Sequence, residues 1–390
     1  MNVLNLVPSL RAASAVATLV LLAGCSVLPP SFSLPFFNTA AEKPKPAELQ
    51  ANPNLLGVRQ AWTARLGTVD FPMVVAVSGN TAALAASDGT VVTLDAATGR
   101  EQWRASARSA LAAGVGFDGT TAAVVTRDND LVTFSGGREL WRQKLGALSY
   151  TPPLVAGARV FVLGGDRSVT AFDGATGRRL WNQARPGEPL VLRQAGVILA
   201  VGDTLVVGQG GRLAGLNPLN GSIRWEAPIA TARGINDIER LVDLVGSVSR
   251  VGDSVCARAF QAAVGCVDTA RGQLAWTQRA NGAEGVHGDG ANVFGTESDS
   301  RVVSWRRDSG QRAWVNERLL HRGLGTPLAL GRSVVVGDDF GFVHMLNRED
   351  GTLLTRLSTD GSAIASAPVA AGNTLIVVTR NGGVYGFVPQ

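Results

Sequence analysis

The stretch SVTAFDGATGRRLW, residues 168–181, decides the fold because variants of it recur along most of the chain. An apolar run leads into an Asp-x-x-Thr-Gly element, and a Trp follows four residues after the Gly. The Asp side chain can accept hydrogen bonds from turn N–H groups and the Gly can adopt a positive φ, so the element is typical of a tight turn. We therefore predict two antiparallel strands joined by this turn, with the Trp on the second strand.

Related copies of this unit follow one another along the chain. Their Trp positions, counted from Trp62 to Thr355 in the eighth slot, are 38 to 51 residues apart, with a mean of about 42. This period is typical of one four-stranded propeller blade, and the blades of such a ring bury their apolar faces only by stacking. The copies are VVTLDAATGREQW at 91–103, the shortened LVTFSGGRELW at 131–141, RLAGLNPLNGSIRW at 212–225, AVGCVDTARGQLAW at 263–276, RVVSWRRDSGQRAW at 301–314 and the degraded FVHMLNREDGTLLT at 342–355.

The two ends of the chain carry complementary parts of one blade. The segment RQAWTARL at 59–66 has a Trp strand with nothing before it, whereas the last strand patterns, at 375–378 and 384–387, have no Trp strand after them. We therefore predict an all-β, eight-bladed β-propeller in which the N-terminal strand completes the C-terminal blade. The pattern leaves two alternatives open: seven blades, if the short 131–141 unit is not a full blade, and two packed β-domains.

The composition excludes several classes of protein. Of the 390 residues 17% are charged and 47 are Gly, which argues against a disordered chain and against a long helical rod. The net charge is +5 and no Lys/Arg cluster is interleaved with aromatic residues, so we expect no nucleic-acid partner. Three Cys and three His are too few for a multi-ligand zinc site, and we predict no metal site.

The N-terminus is typical of a targeting segment. Arg11 precedes an apolar run, residues 12–23, that is too short to span a membrane as a stable helix. The run ends in Leu-Ala-Gly-Cys, which resembles the bacterial lipobox, and Ser26 after Cys25 implies by that resemblance the outer membrane. A buried apolar helix with an incidental Cys is the alternative. The predicted divisions are a signal peptide at 1–24, the lipidated Cys25 with a Pro-rich tether at 25–56, and the propeller at 57–390.

The whole plan resembles the PQQ-like repeat family of propellers and not the WD40 proteins, because no Gly-His…Trp-Asp pairing recurs. The lipobox, the tether and about 330 residues of eight repeats resemble the BamB family of lipoproteins in the outer-membrane β-barrel assembly (BAM) complex. The other branch, the periplasmic quinone-dependent dehydrogenases, is much longer and needs a calcium-held quinone and, in many members, adjacent Cys residues. No two Cys are adjacent here. The resemblance therefore implies a scaffold without enzyme activity or cofactor, with a dehydrogenase-like or ligand-binding propeller as the alternative.

The body cysteines and the histidines carry weaker signals. Cys256 and Cys266 flank Gln261 symmetrically, and they lie opposite each other on adjacent strands if residues 260–262 form a hairpin turn. In an oxidising periplasm this arrangement permits a disulfide, with two buried free thiols as the alternative. The histidines fall on different repeats, where each is packed, solvated or lining the central channel: His287, His321 and His344.

Irregular joints between blades mark the predicted partner surface, because the binding residues of a rigid scaffold concentrate in its loops. In the BamB family a Leu-x-Leu-Arg segment before one blade and an acidic segment before the next contact the POTRA domains of BamA. The resemblance places these contacts on Leu190, Leu192, Arg193 and Asp243, although Val245 stands where the family has a second acid. The alternative is that the two Leu residues face inward from a strand. Unfolded outer-membrane proteins are a further expected partner, by strand addition at the propeller edges.

Overall fold

The computed structural model describes residues 44–185, 191–231 and 242–390. Within these ranges the regular elements are thirty-two strands, and no helix is present. The described part of the chain therefore contains no helix that is long and apolar enough to cross a membrane. Pro46–Gln390 form one compact unit. Short apolar runs that alternate with Gly, Asp and Asn explain why the strands span only two to eight residues.

Eight four-stranded antiparallel sheets contain these strands, and each sheet is one blade. In blades 1 to 7 the strands follow one another along the chain from the innermost to the outermost. Blade 1 comprises β2 Ala76–Ser78, β3 Thr81–Ala85, β4 Thr90–Asp95 and β5 Glu101–Ser106, and blade 2 comprises β6 Gly116–Phe117, β7 Thr121–Val125, β8 Asp130–Ser135 and β9 Arg138–Lys144. Blade 3 comprises β10 Leu154–Ala156, β11 Arg159–Leu163, β12 Val169–Asp173 and β13 Arg179–Gln183. Blade 4 comprises β14 Ile198–Val201, β15 Thr204–Gln209, β16 Arg212–Leu216 and β17 Ile223–Pro228.

The other half of the ring repeats the arrangement and then closes it. Blade 5 comprises β18 Leu244–Val251, β19 Ser254–Ala259, β20 Ala263–Asp268 and β21 Gln273–Arg279, and blade 6 comprises β22 Val286–Gly288, β23 Asn292–Thr296, β24 Val302–Arg306 and β25 Arg312–Asn316. Blade 7 comprises β26 Leu328–Leu330, β27 Ser333–Gly337, β28 Phe342–Asn347 and β29 Leu353–Ser358. Blade 8 comprises β30 Val369–Ala371, β31 Thr374–Val378 and β32 Gly383–Pro389 together with β1 Val58–Arg65.

Ring closure follows the prediction. Strand β1 pairs antiparallel with β32, with Val58 opposite Pro389 and Trp62 opposite Gly386, so the N-terminal strand is the outermost strand of blade 8. The eight-bladed propeller is therefore confirmed. The seven-blade alternative is wrong because the short unit at 131–141 belongs to a complete sheet, β6 to β9.

Each Trp of the repeat packs onto the turn of the next blade. The indole Nε1 of Trp62 donates to the carbonyl of Ala96 at 3.0 Å, and the same bond links Trp141 to Gly174 at 2.8 Å and Trp181 to Pro218 at 3.0 Å. A buried indole that also satisfies its N–H combines a large apolar area with a polar anchor. The Trp residues therefore hold neighbouring blades together, as the repeat pattern predicts.

The Asp-x-x-Thr-Gly element forms the turn that receives the Trp ring. In blade 1 the Asp95 carboxylate accepts hydrogen bonds from the Thr98 amide at 2.9 Å and from the Thr98 hydroxyl at 2.7 Å. Gly99 has a φ of +69°, and a Cβ built on it would lie 2.4 Å from the ring of Trp62. Only Gly satisfies both the backbone conformation and the close approach of the ring.

The folded body begins earlier than the sequence predicts. The predicted tether extends to residue 56, whereas the Ala47 amide bonds the Leu320 carbonyl at 2.9 Å and the Leu55 amide bonds the Leu354 carbonyl at 2.8 Å. The reason is that the Pro-containing chain places its amides and carbonyls against β29 of blade 7 and against the connection between blades 6 and 7. The remaining predicted N-terminal features, the signal peptide and Cys25, lie outside the described residues.

Candidate partner-binding site

Two joints between blades form the predicted partner surface. Leu192 and Arg193 lie between blades 3 and 4, and Asp243 comes directly before β18 of blade 5. The two joints meet, since the Leu192 amide donates to the Asp243 carboxylate at 3.1 Å, and next to them the amide of Gly246 in β18 donates to the Ala195 carbonyl at 2.8 Å. The fourth predicted residue, Leu190, lies outside the described residues.

Asp243 fastens one joint to the other. One carboxylate oxygen accepts the backbone amide of Leu192 at 3.1 Å, and the other accepts Nη2 of Arg167 at 3.1 Å. The carbonyl of Asp243 also accepts the amide of Phe260 at 3.0 Å. The side chains of Asp243 and Arg167 are 15% and 17% exposed, so solvent screens this ion pair less than a pair on the open surface. Asp243 therefore positions Leu192, and we call this arrangement the Asp243 clasp.

Leu192 is half-buried and belongs to no strand. It borders a cavity of about 50 Å³ together with Tyr150, Leu163 and Asp243. The alternative that Leu192 is an inward-facing strand residue is wrong, because the next strand, β14, begins only at Ile198. Part of the Leu192 side chain therefore remains accessible beside the Asp243 clasp.

Arg193 lies on the other side of this segment from Leu192. It is exposed, and it borders a second, larger cavity of about 1000 Å³ next to the innermost strands. Leu192 does not border that cavity, and Arg193 does not border the small one. The chain bends at residues 193 and 194, directly after Leu192, so the two side chains border different cavities. The structure thus brings Leu192 and Asp243 together and places Arg193 apart from them.

The larger cavity near the axis has charged groups in its wall. Burial raises the pKa values of Glu284 and Asp339 above the ordinary carboxyl range. His287 also lines this cavity; its Nδ1 accepts the Ala329 amide at 3.1 Å, and burial lowers its pKa. Among the residues that the structure describes, no three His, Cys, Asp or Glu side chains come close enough to hold a metal ion.

The other two histidines occupy different surroundings. His344 is fully buried in blade 7, where its Nε2 lies 3.0 Å from the Asp338 carboxylate. His321 is exposed in the connection after β25. His287 is thus the histidine that lines the channel, one of the environments expected from the sequence.

Cys256 and Cys266 lie directly opposite each other on β19 and β20. Residues 260–262 form the hairpin turn between these strands, as predicted, and the two sulfurs are joined in a disulfide. Both side chains are buried in blade 5. Nη1 of Arg307, from blade 6, donates to the Cys256 sulfur at 3.2 Å and to the Ser254 hydroxyl at 3.1 Å. Sequence reasoning missed this inter-blade contact because Arg307 occupies a variable position of the repeat.

Comparisons with known proteins agree with this architecture. The family described as "Outer membrane protein assembly factor BamB" matches residues 87–316. A relative of that name from Burkholderia pseudomallei is 38% identical over 86% of this chain and 89% of its own length. A second, from Bordetella pertussis, is 36% identical over 95% of both chains.

Solved structures show the same fold. The crystal structure of BamB from Moraxella catarrhalis superposes with a TM-score of 0.77 at 25% identity, covering 85% of this chain and 99% of that one. A quinohemoprotein alcohol dehydrogenase from Comamonas testosteroni superposes with a TM-score of 0.66 at 14% identity, covering 87% of this chain and 78% of that one, which shows the fold alone. From the family match and the relatives together, the chain belongs to the BamB family of outer membrane protein assembly factors.

Proposed function

We propose that this protein is a non-catalytic scaffold in the assembly of outer-membrane proteins. It binds the POTRA domains of BamA within the BAM complex, and a lipid on Cys25 anchors it at the periplasmic face of the outer membrane. The names of the relatives from Burkholderia pseudomallei and Bordetella pertussis support the assembly role. The observation that carries the proposal is the Asp243 clasp, which fixes an accessible loop segment on a rigid ring.

The clasp gives the predicted contact residues different roles. Asp243 already uses both carboxylate oxygens within the protein, so it acts by holding the backbone of Leu192 in place. Leu192 offers a partly accessible apolar side chain and Arg193 an exposed guanidinium. Arg is enriched among the residues that dominate interfaces, and its planar donors suit carboxylates of a partner. We therefore assign direct contact with BamA to Leu192 and Arg193, and positioning to Asp243.

Unfolded β-barrel proteins are a second proposed partner of the same scaffold. The outermost strand of a blade has one edge that is not paired within its own sheet, as in β5 and β13. Such edges can accept an extended chain by strand addition. Exposed arginines interrupt these edges, which limits uncontrolled association between propellers.

Co-purification with BamA tests the binding proposal. Full-length protein and the variants Leu192→Ala and Arg193→Ala are expressed with tagged BamA, together with Arg100→Ala in an ordinary repeat turn as the matched control. We expect BamA to retain the parent and the control and to lose most of the other two variants. Folded variants that stay bound to BamA would place the interface elsewhere on the propeller.

The same preparation tests the absence of enzyme activity. Purified protein is scanned for bound quinone and calcium and assayed for dye-linked dehydrogenase activity. Quinone-dependent turnover would contradict a purely structural scaffold. A stable complex with BamA and no turnover would support it.

The anchoring proposal has its own test. The Cys25 thiol is proposed to receive a diacylglyceryl group, so Cys25→Ala is expected to abolish lipidation and to leave an uncleaved or mislocalised precursor. Metabolic labelling with palmitate measures this directly, with Ser26→Ala as the matched control. Labelling that persists in Cys25→Ala would show that the lipid is attached to another residue and would contradict the anchoring proposal.

A further inference from the structure

Residues 46–56, which we call the strap, lie extended along the outer side of blade 7. Ala47 and Leu49 are half-buried, whereas Glu48 and Gln50 are exposed. This alternation is that of an extended chain with one face against a surface. No strand is assigned to the strap, so it contacts the blade without being part of its sheet.

The strap bonds the backbone of β29 in blade 7 at one end and the connection between blades 6 and 7 at the other, where the Ala47 amide donates to the Leu320 carbonyl at 2.9 Å. The Leu55 amide donates to the Leu354 carbonyl at 2.8 Å. Asn52 then uses its side-chain amide in both directions, since Nδ2 donates to the Arg356 carbonyl at 2.9 Å and Oδ1 accepts the Arg356 amide at 3.0 Å. Two reciprocal bonds of this kind replace the pair that a neighbouring strand would make. Asn52 therefore fixes the register of the strap on β29.

Arginine side chains hold the remaining strap carbonyls. Arg356 donates to the Gln50 carbonyl at 3.1 and 3.2 Å, Arg332 to the Leu55 carbonyl at 2.9 Å, and Arg322 to the Ala47 carbonyl at 3.1 Å. Arg322 is buried, and its Nε bonds the buried Asp338 carboxylate at 2.8 Å. A buried guanidinium fixed by an ion pair is a pre-organised donor, so little entropy is lost when a peptide carbonyl binds to it.

An apolar contact completes the site. Leu49 packs against the cluster that contains Leu319 and Leu324. Beside it, the ring of Phe342 lies 5.8 Å from the Arg322 guanidinium and 5.5 Å from that of Arg356. Blade 7 and the connection before it thus offer an apolar contact for one side chain, between donors that bind backbone carbonyls on either side.

The repeat explains why the site is on blade 7. Its outermost strand has Thr355 where other blades have the Trp. The next blade has no Asp-x-x-Thr-Gly turn to receive a Trp ring, because its last two strands, β32 and β1, come from opposite ends of the chain. The strap lies here instead, and Asn54 Oδ1 accepts the Thr355 hydroxyl at 3.3 Å.

We propose that the outer side of blade 7 is a peptide-binding site for an extended segment with an apolar residue three positions before an Asn, and that the strap is its resident ligand. A segment tethered on the same chain acts at an effective concentration of about 1 mM. The resident strap therefore excludes other extended peptides from this edge as long as it stays bound.

Peptide binding in trans tests the proposal. The site is vacated in the full-length chain by Leu49→Asp with Asn52→Ala, and a fluorescein-labelled peptide of residues 46–56 is titrated by fluorescence anisotropy. We expect saturable binding to the vacated chain and at least about tenfold weaker binding to the intact chain, which holds its own strap. A peptide with the same two substitutions is expected to bind neither chain.

Matched variants of the vacated chain locate the site. Arg356→Ala removes both bonds to the Gln50 carbonyl and is expected to weaken peptide binding about tenfold or more, as for a single hot-spot residue. Arg312→Ala, on the outermost strand of blade 6, is expected to leave it unchanged. Equal binding to the vacated and intact chains, or no binding to the vacated one, would overturn the proposal.

Hydrogen exchange on the unmodified chain gives an independent readout, should the vacated chain fail to fold. A resident ligand lifts off while the blade stays folded, so the amides of Ala47 and Leu55 are expected to exchange together and much faster than that of Val335 in β27. Exchange of all three amides at one rate would show that the strap is an integral part of the blade and not a ligand of it.

Discussion

The Trp joints and the joint that carries Leu192 link neighbouring blades in different ways. At a Trp joint, such as that between Trp62 and Gly99, a ring fills all the space above a Gly and its N–H is bonded to the next blade. At the Leu192 joint the Asp243 carboxylate and single hydrogen bonds, such as that from the Gly246 amide to the Ala195 carbonyl, hold a half-buried segment, and no Trp ring of the described residues packs over it. The repeated contacts therefore supply stability, whereas the irregular joint leaves side chains available to a partner.

Trp62→Ala is expected to have the largest effect, because it removes a Trp joint at the seam where the two chain ends meet. Loss of a fully buried Trp side chain costs about 3–5 kcal/mol of unfolding free energy, and for the half-buried Trp62 we expect a loss near the lower end of this range. Chemical denaturation measures the change. An unchanged unfolding curve would show that the Trp joints do not supply the stability of the ring.

Gly99→Ala tests the other half of the same joint. The new Cβ would lie 2.4 Å from the Trp62 ring, at a φ of +69°. Overpacking of this kind costs about 1–3 kcal/mol, in addition to about 1–2 kcal/mol for the left-handed conformation. Gly136→Ala is the matched control, because its φ is also positive, +55°, but its Cβ meets nothing within 4 Å. Equal losses of unfolding free energy in the two variants would show that the contact with the Trp62 ring does not contribute to stability.

The pH dependence of unfolding tests a buried part of a blade. Burial lowers the pKa of His344, which packs beside Asp338, Arg322 and Arg356, so the folded state keeps the ring neutral. The unfolded chain binds a proton near the ordinary value of 6.5. The contribution of the neutral His344 ring to the free energy of unfolding is therefore fully present above that pH. It falls as the pH drops below that value, by up to about 1.4 kcal/mol per pH unit for one proton.

Denaturation at pH 7 and pH 5 measures this loss. We expect His344→Gln to reduce the pH dependence without removing it, because burial also lowers the pKa of His287. The exposed His321→Gln serves as control and is expected to change nothing. If the free energy of unfolding depends on pH equally in His344→Gln and in the parent, His344 is not the source of that dependence.

Asp243→Asn is expected to give a smaller effect, on binding and not on folding. The amide can still accept the Leu192 N–H but loses the charge that pairs with Arg167. We expect BamA affinity to fall about tenfold, or 1.4 kcal/mol, with little change in melting temperature. Asp203→Asn, in an exposed pair with Arg224, is the control. A large drop in melting temperature would show that the Asp243 clasp stabilises the fold, as the Trp joints do.

Particular residues show what sequence patterns can and cannot predict. The Trp and Gly of the repeat predict the blades because the same packing recurs from joint to joint, and Trp62 together with the missing Trp strand after residue 387 indicates how the ring closes. The strap escaped prediction because Pro46 and Pro53 are typical of solvated chain, and arginines that bind carbonyls leave no periodic pattern. Arg167 was missed for a similar reason, since its partner Asp243 lies 76 residues away.

The affinity of the purified protein for BamA tests the scaffold proposal most directly. Parent protein and Arg193→Ala are titrated with BamA by isothermal titration calorimetry, and their melting temperatures are compared. We expect the variant to melt like the parent and to bind about thirtyfold more weakly, corresponding to about 2 kcal/mol for a hot-spot residue. Equal affinities with equal melting temperatures would contradict the assignment of the BamA contact to this joint.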